Sequence, residues 1–200
     1  ERAAQRGVRC RVLLDAVGSK RFLASAQAER LRRSGAAVQA ALPVNLLRML
    51  FVRFDLRLHR KIAVIDGRVA YTGSFNLVDP NFFKQDAGVG RWIDAMVRIE
   101  GPAVEPLGIT FLEDWELDTD EGHAESGSPG DATPQPTRGA STVQVIPSGP
   151  IVLREGIRQV LLTAIYAAEH ELVLTTPYFV PDEPLLAALT SAARATLLFT

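Results

Sequence analysis

The chain has 200 residues, with 22 lysines and arginines against 23 aspartates and glutamates, so its formal net charge is -1. Hydrophobic residues make up 47% of the sequence and charged residues 22%, a composition that excludes disordered, fibrous and collagen-like chains. The single cysteine, Cys10, excludes an internal disulfide framework and a zinc site built from cysteines, and no apolar stretch approaches the ~20 residues of a membrane-spanning helix.

Alternating strands and helices are predicted over the first 116 residues. Apolar residues that alternate with polar ones predict strands, and apolar residues three and four apart predict helices. In chain order the pattern predicts strand 8–14, helix 22–33, strand 37–42, helix 45–54, strands 57–65, 68–72 and 92–99, and helix 101–116. Asp66 and Gly67 are typical of a two-residue hairpin turn between two of these strands.

A flexible linker is predicted at 117–141, dividing the chain into blocks 1–116 and 142–200. The segment is acidic and rich in Gly, Ser and Pro, so it cannot bury enough apolar surface to offset its ordering entropy. After it the pattern predicts strand 142–146, helix 150–168, strand 171–175, helix 184–194 and a strand from 196. This alternation predicts an α/β fold, with helices on both faces of a mixed β-sheet, and we expect the chain to stop inside its second block.

The charge is unevenly distributed along the chain. Residues 1–33 hold nine basic and three acidic side chains, residues 48–68 hold six and two, and residues 113–131 hold eight acidic and no basic ones. The basic regions suit an anionic substrate, although a solvated face would look the same. The apolar stripe of helix 45–54 likewise fits either an interfacial helix on anionic lipid or a core helix.

A cluster of polar side chains is predicted around the hairpin. On a strand, His59 and Lys61 project from one face, roughly 6.5–7 Å apart at the backbone. The returning strand brings Gly73, Ser74 and Asn76 to the same neighbourhood. The set lacks the paired carboxylates of a magnesium or calcium site, but it offers donors and positive charge to anionic oxygens. An imidazole can attack phosphorus or protonate a leaving oxygen.

The spacing of these residues resembles the HKD motif of the phospholipase D superfamily. The matching pattern is His59-x-Lys61-x4-Asp66-x6-Gly73-Ser74-x-Asn76. The surrounding sequence is similar to bacterial cardiolipin synthases at residues 45–48, 55–61, 71–80, 83–94, 99–104 and 175–182. The resemblance implies a phospholipase D-like fold of two half-domains, with the first at 1–116 and the start of a truncated second at 142–200.

The resemblance also implies a reaction and a set of residue roles. Enzymes of this family join two phosphatidylglycerols into cardiolipin and glycerol through a phosphohistidine, with no cofactor and no metal. The implied roles are catalytic for His59, Lys61 and Asp66, phosphate-binding for Lys61, Ser74 and Asn76, and supporting the motif for Gly73 and Asp94. Asp66 sits at the hairpin, so we expect it to orient rather than to react.

Only one of the two family motifs is found. The other histidines, His123 and His170, have no lysine two positions on, so neither completes the site. We therefore expect the isolated chain to be inactive or nearly so unless a missing segment or another copy supplies the second half. The implied partners are phosphatidylglycerol and anionic membrane lipid, not nucleic acid, and the implied location of the full-length enzyme is the bacterial membrane. A phosphatidylserine synthase, a hydrolytic phospholipase D and a non-catalytic lipid-binding piece remain alternatives.

Overall fold

The computed structural model describes most of the chain. The described residues are 1–42, 57–79, 81, 93–118, 132–149, 155–176, 179–192 and 195–198. They form two compact units, the first built from Glu1–Phe75 and Met96–Ser141, the second from Asn76–Ala95 and Thr142–Thr200. The predicted helix at 45–54 lies outside the described residues.

A parallel strand pair with intervening helices opens the first unit. After the short helix α1 (Arg2–Gln5), strand β1 (Arg11–Asp15) pairs with β2 (Ala37–Ala41), and helices α2 (Lys20–Leu23) and α3 (Ala26–Arg33) connect them.

One serine divides the helix that was predicted over 22–33. The Ser25 hydroxyl donates to the carbonyl oxygen of Phe22 at 2.6 Å and accepts from the Ala28 N–H at 3.3 Å. The same side chain therefore closes α2 and caps the beginning of α3.

An antiparallel sheet follows, formed by β3 (Ile62–Ile65), β4 (Val69–Gly73) and β5 (Met96–Glu100). The hairpin turn lies at the predicted residues: Asp66 and Gly67 have φ of 55° and 61°, and the Arg68 N–H donates to the Ile65 carbonyl at 3.0 Å. Positive φ at both central residues matches the right-handed twist of hairpin strands. The first ladder pair is Ile65 with Val69, so three residues rather than two separate the paired positions.

Helix α4 (Val104–Asp118) holds the two sheets of the first unit together. It packs against β2, β3 and β4. Trp115, Val104 and Leu107 on this helix are buried, and Trp115 has no exposed surface. The Trp115 ring stacks on Phe111 and lies 6.0 Å from the guanidinium carbon of Arg11 on β1. The helix thereby gives both sheets a common core.

The second unit has its own core. It contains α5 (Gly156–Tyr166), β6 (Leu172–Thr175), α6 (Glu183–Ser191) and β7 (Ala195–Leu198), with β6 and β7 parallel. Ile165 from α5 packs with Ala188 and Leu189 from α6. The Asp182 carboxylate caps α6 by accepting from the Leu185 N–H at 2.9 Å.

The mixed α/β class is confirmed, with differences in detail. Among the described residues the strands form three separate sheets, two parallel pairs and one antiparallel three-stranded sheet, rather than one mixed sheet. The strand predicted at 142–146 is wrong, because these residues carry no ladder. No helix in the described part of the chain is long and apolar enough to cross a membrane.

Part of the predicted linker lies against the first unit. Gly101, in the turn between β5 and α4, has φ of 95°, and a Cβ there would lie 3.3 Å from the Arg138 nitrogen and 3.4 Å from the Pro136 oxygen. The Arg138 Nε is 3.7 Å from the Glu100 carboxylate. Residues 136–138 therefore pass close over a position that only glycine fills without displacing them.

Candidate active site

The two motif side chains lie on the segment that leads into β3, not within the strand as predicted. The ladder between β3 and β4 ends at the pair Ile62–Thr72, so residues 57–61 precede it. His59 is exposed and Lys61 is partly buried. The Lys61 Nζ donates a hydrogen bond of 2.7 Å to the His59 carbonyl oxygen, which keeps the ammonium beside the backbone that carries the imidazole.

Arg60, which lies between His59 and Lys61, is held against α4. The Arg60 guanidinium forms an ion pair with the Asp114 carboxylate on α4. In β3 the side of the sheet that carries Val64 is buried, because Val64 pairs with Ala70, which lies fully buried in the core. The ion pair with Asp114 thus holds the Arg60 side chain against α4.

The hairpin separates the remaining first-unit residues of the motif. Extending the register by one position puts Gly73 opposite Lys61, and the exposed Ser74 follows it directly. Asp66 lies at the opposite end of the hairpin, five residues or roughly 16 Å of extended chain beyond Lys61. The fold groups His59, Lys61, Gly73 and Ser74 at one end and leaves Asp66 in the turn.

Two of the predicted residues belong to the second unit. Asn76 is exposed, and its carbonyl accepts from the Val78 N–H at 2.7 Å. Asp94 is partly buried and precedes β5, which begins at Met96 rather than at 92 as predicted. The phosphate-binding role of Asn76 and the motif-supporting role of Asp94 stay predictions.

An aspartate that the sequence analysis did not select contacts the motif segment. Asp15, at the end of β1, accepts from the Leu58 N–H and from the Arg57 side chain. Burial raises the pKa of Asp15, but hydrogen bonds from Arg57, Gly18 and Leu58 favour the charged form more strongly, so its pKa lies below the ordinary value. The hydrogen bond to Asp15 in turn raises the pKa of Arg57. The sequence offered one signal for Asp15, because it is an acidic residue at the end of a predicted strand within the basic region 1–33.

The arrangement suits nucleophilic chemistry on an anion. The exposed imidazole of His59 offers a nitrogen lone pair to an electrophile. The ammonium of Lys61 offers positive charge, and the hydroxyl of Ser74 offers a hydrogen-bond donor, to anionic oxygens. In the part of the chain that the structure describes, no three His, Cys, Asp or Glu side chains come together as metal ligands.

Comparison with known proteins gives the same family as the motif. A family model described as cardiolipin synthase, PLD-like domain matches residues 1–107. Two similar proteins are named Cardiolipin synthase A, from Yersinia pseudotuberculosis serotype O:1b (strain IP 31758) and Yersinia pestis bv. Antiqua (strain Angola). Each is 53% identical over 194 residues, which is 96% of this chain and 40% of the relative. The chain therefore spans about 40% of the length of these relatives. The match of more than half the chain confirms the resemblance, and the chain belongs to the phospholipase D-like cardiolipin synthase family.

Proposed function

We propose that the chain contributes one histidine half of a phosphatidyltransferase site, which joins two phosphatidylglycerols into cardiolipin and releases glycerol. The observation that carries this proposal is the exposed His59 on the segment that leads into β3, with the ammonium of Lys61 hydrogen-bonded to the His59 backbone carbonyl. The names of the relatives favour cardiolipin over the products of other phospholipase D reactions.

The reaction proceeds in two balanced steps. A nitrogen lone pair of His59 forms a bond to phosphorus while the P–O bond to glycerol breaks, and the leaving oxygen takes a proton from an acid. The hydroxyl of a second phosphatidylglycerol then attacks phosphorus, the P–N bond breaks, and the hydroxyl proton returns to the same group. Lys61, Ser74 and Asn76 supply positive charge and donors to the non-bridging oxygens.

The acid is proposed to come from a second HKD half. In support, the second unit shares one feature with the first: β6, α6 and β7 form a parallel strand–helix–strand arrangement like β1, α3 and β2. We propose that residues 142–200 begin a second half-domain, that 117–141 connect the halves, and that another segment or another copy supplies the second motif. The substrate is proposed to be drawn from an anionic bacterial membrane.

An activated substrate tests His59 without the second half. Phosphatidyl-p-nitrophenol in detergent micelles releases p-nitrophenolate, which leaves without being protonated. We expect a burst of p-nitrophenolate of up to one equivalent per protein chain, together with an acid-labile phosphatidyl adduct. His59→Ala should abolish both. His170→Ala, the matched control, should leave both unchanged. With phosphatidylglycerol itself, loss of the acid slows the first step by about 10²–10⁴-fold.

The fate of the adduct separates the candidate reactions. Transfer of the phosphatidyl group from the adduct to phosphatidylglycerol, which gives cardiolipin, supports the proposal. Discharge by serine alone, or by water alone, contradicts it in favour of a phosphatidylserine synthase or a hydrolase. Absence of an adduct while the chain still binds phosphatidylglycerol vesicles contradicts catalysis and favours a lipid-binding piece.

A further inference from the structure

The segment before the motif is tied to the carboxyl end of β1. The Asp15 side chain is 12% exposed. Its Oδ1 accepts from the Leu58 N–H at 3.0 Å. Its Oδ2 accepts from the Arg57 Nε at 2.8 Å and the Gly18 N–H at 2.6 Å, and lies 2.7 Å from the Arg57 Nη2. One carboxylate thus binds two backbone amides and a guanidinium.

The bond to Leu58 reaches the motif through a single peptide. Leu58 directly precedes His59, so fixing the Leu58 N–H restricts where the His59 backbone can lie. Hydrogen bonds to a charged carboxylate are shorter and stronger than neutral ones. They also orient the backbone independently of the Leu58 side chain. The connection spans 43 positions in sequence, so it is a tertiary constraint rather than a local turn.

A second tie holds the other side of His59. Arg60 is ion-paired to Asp114 on α4, next to the fully buried Trp115. His59 therefore lies between two fixed points, Leu58 and Arg60, each bound to a carboxylate on a different element of the first unit. The backbone of His59 is therefore restrained on both sides, while its imidazole stays accessible.

Close packing at Gly18 strengthens the first tie. A Cβ at Gly18 would lie 2.7 Å from the Arg57 Nη2 and 2.9 Å from the Asp15 Oδ2. Because these distances are shorter than any normal contact, a methyl group would push the carboxylate or the guanidinium aside. Gly18→Ala therefore perturbs the tie while leaving Asp15 and its charge in place.

We propose that Asp15 is a positioning residue for His59, acting through the Leu58 amide and the Arg57 guanidinium. This inference rests on the proposed function for its catalytic meaning, but the restraint itself is independent of it. Misplacing a reacting group by about 1 Å can cost on the order of 100-fold in rate. We expect Asp15→Ala to slow the p-nitrophenolate burst by about 10- to 100-fold, and Asp15→Asn and Gly18→Ala to slow it less.

Asp182→Asn is the matched control. Asp182 also accepts a backbone N–H, from Leu185, and also pairs with an arginine, Arg158, but it lies in the second unit. The burst should be unchanged in this variant. Imidazole resonances provide a readout without catalysis: the His59 signals, assigned by loss in His59→Ala, should shift in both Asp15 variants and in Gly18→Ala. Asp182→Asn should leave them in place.

The two measurements separate the two proposals. If the burst is present in the native chain and His59 signals and burst rate are unchanged in Asp15→Asn and Gly18→Ala, the positioning role is wrong and the proposed function stands. If no burst occurs but the His59 signals move, the positioning role stands and the proposed function fails. Should Asp15→Ala not fold, the two milder variants decide the outcome, with urea unfolding as the check that they are native.

Discussion

Replacing Gly101 by alanine tests whether residues 136–138 pack on the first unit. Gly101 has φ of 95°, in a region where an L-residue is strained. The left-handed conformation costs an L-residue roughly 1–2 kcal/mol, and the loss of glycine's freedom in the unfolded chain returns about 0.4–1 kcal/mol. Strain alone therefore predicts a loss of roughly 1 kcal/mol.

Contacts add to this strain. The new methyl carbon would lie 3.3 Å from the Arg138 nitrogen and 3.4 Å from the Pro136 oxygen, so the segment must shift by a few tenths of an ångström or detach. Overpacking of this kind typically costs about 1–3 kcal/mol. The total expected for Gly101→Ala is then roughly 2–4 kcal/mol.

Gly35→Ala is the matched control for the strain. Gly35 has φ of 94°, and a Cβ there would have no atom within 4 Å. Urea unfolding should show Gly101→Ala less stable than Gly35→Ala by about 1–3 kcal/mol, the contact contribution. Trypsin should also cut after Arg138 faster in Gly101→Ala alone. Equal stabilities and equal cleavage rates in the two variants would refute packing of the 136–138 segment on the β5–α4 turn.

Three further predictions concern the same unit. The pKa of Asp15 is lower in the folded chain than the ordinary aspartate pKa of about 3.8. The ionised Asp15 carboxylate therefore stabilises the fold fully above that ordinary pKa, and this stabilisation is lost as pH falls through the folded pKa. The gap in unfolding free energy between the native chain and Asp15→Asn should begin to narrow near about pH 4 and keep narrowing until the pH is below the folded pKa of Asp15, and a gap independent of pH contradicts this. By the strain argument used for Gly101, Gly67→Ala should cost roughly 1 kcal/mol in thermal unfolding, while Asp66→Asn is nearly neutral because asparagine tolerates positive φ. A larger loss in Asp66→Asn than in Gly67→Ala would contradict the turn. Trp115→Ala should cost about 3–5 kcal/mol in urea, and a loss under 1 kcal/mol would exclude Trp115 from the core.

Local signals predicted those elements whose boundaries are set locally. Strand β2 begins at Ala37 as predicted, and the Asp66–Gly67 turn needs only the tolerance of these two residues for positive φ. The break at Ser25 was missed because the apolar spacing continues across it, although a serine that caps a helix was visible in the sequence. Periodicity describes which face is buried, and it does not mark where one helix stops and the next begins.

The motif leads to a prediction for the chemistry of the site, but it contains no information about the way in which the fold holds the motif segment. His59 and Lys61 could be recognised from spacing alone, whereas the ties beside them join residues 43 and 54 positions apart. Nine basic residues in 1–33 and six in 48–68 offered many partners for one aspartate, so charge pattern could not select Arg57 for Asp15. Only the parallel pairing of β1 with β2 and the packing of α4 across both sheets bring those carboxylates to the motif segment. A chain that kept every motif residue but lost Asp15 would still match the HKD pattern, yet we expect it to present its imidazole less precisely placed.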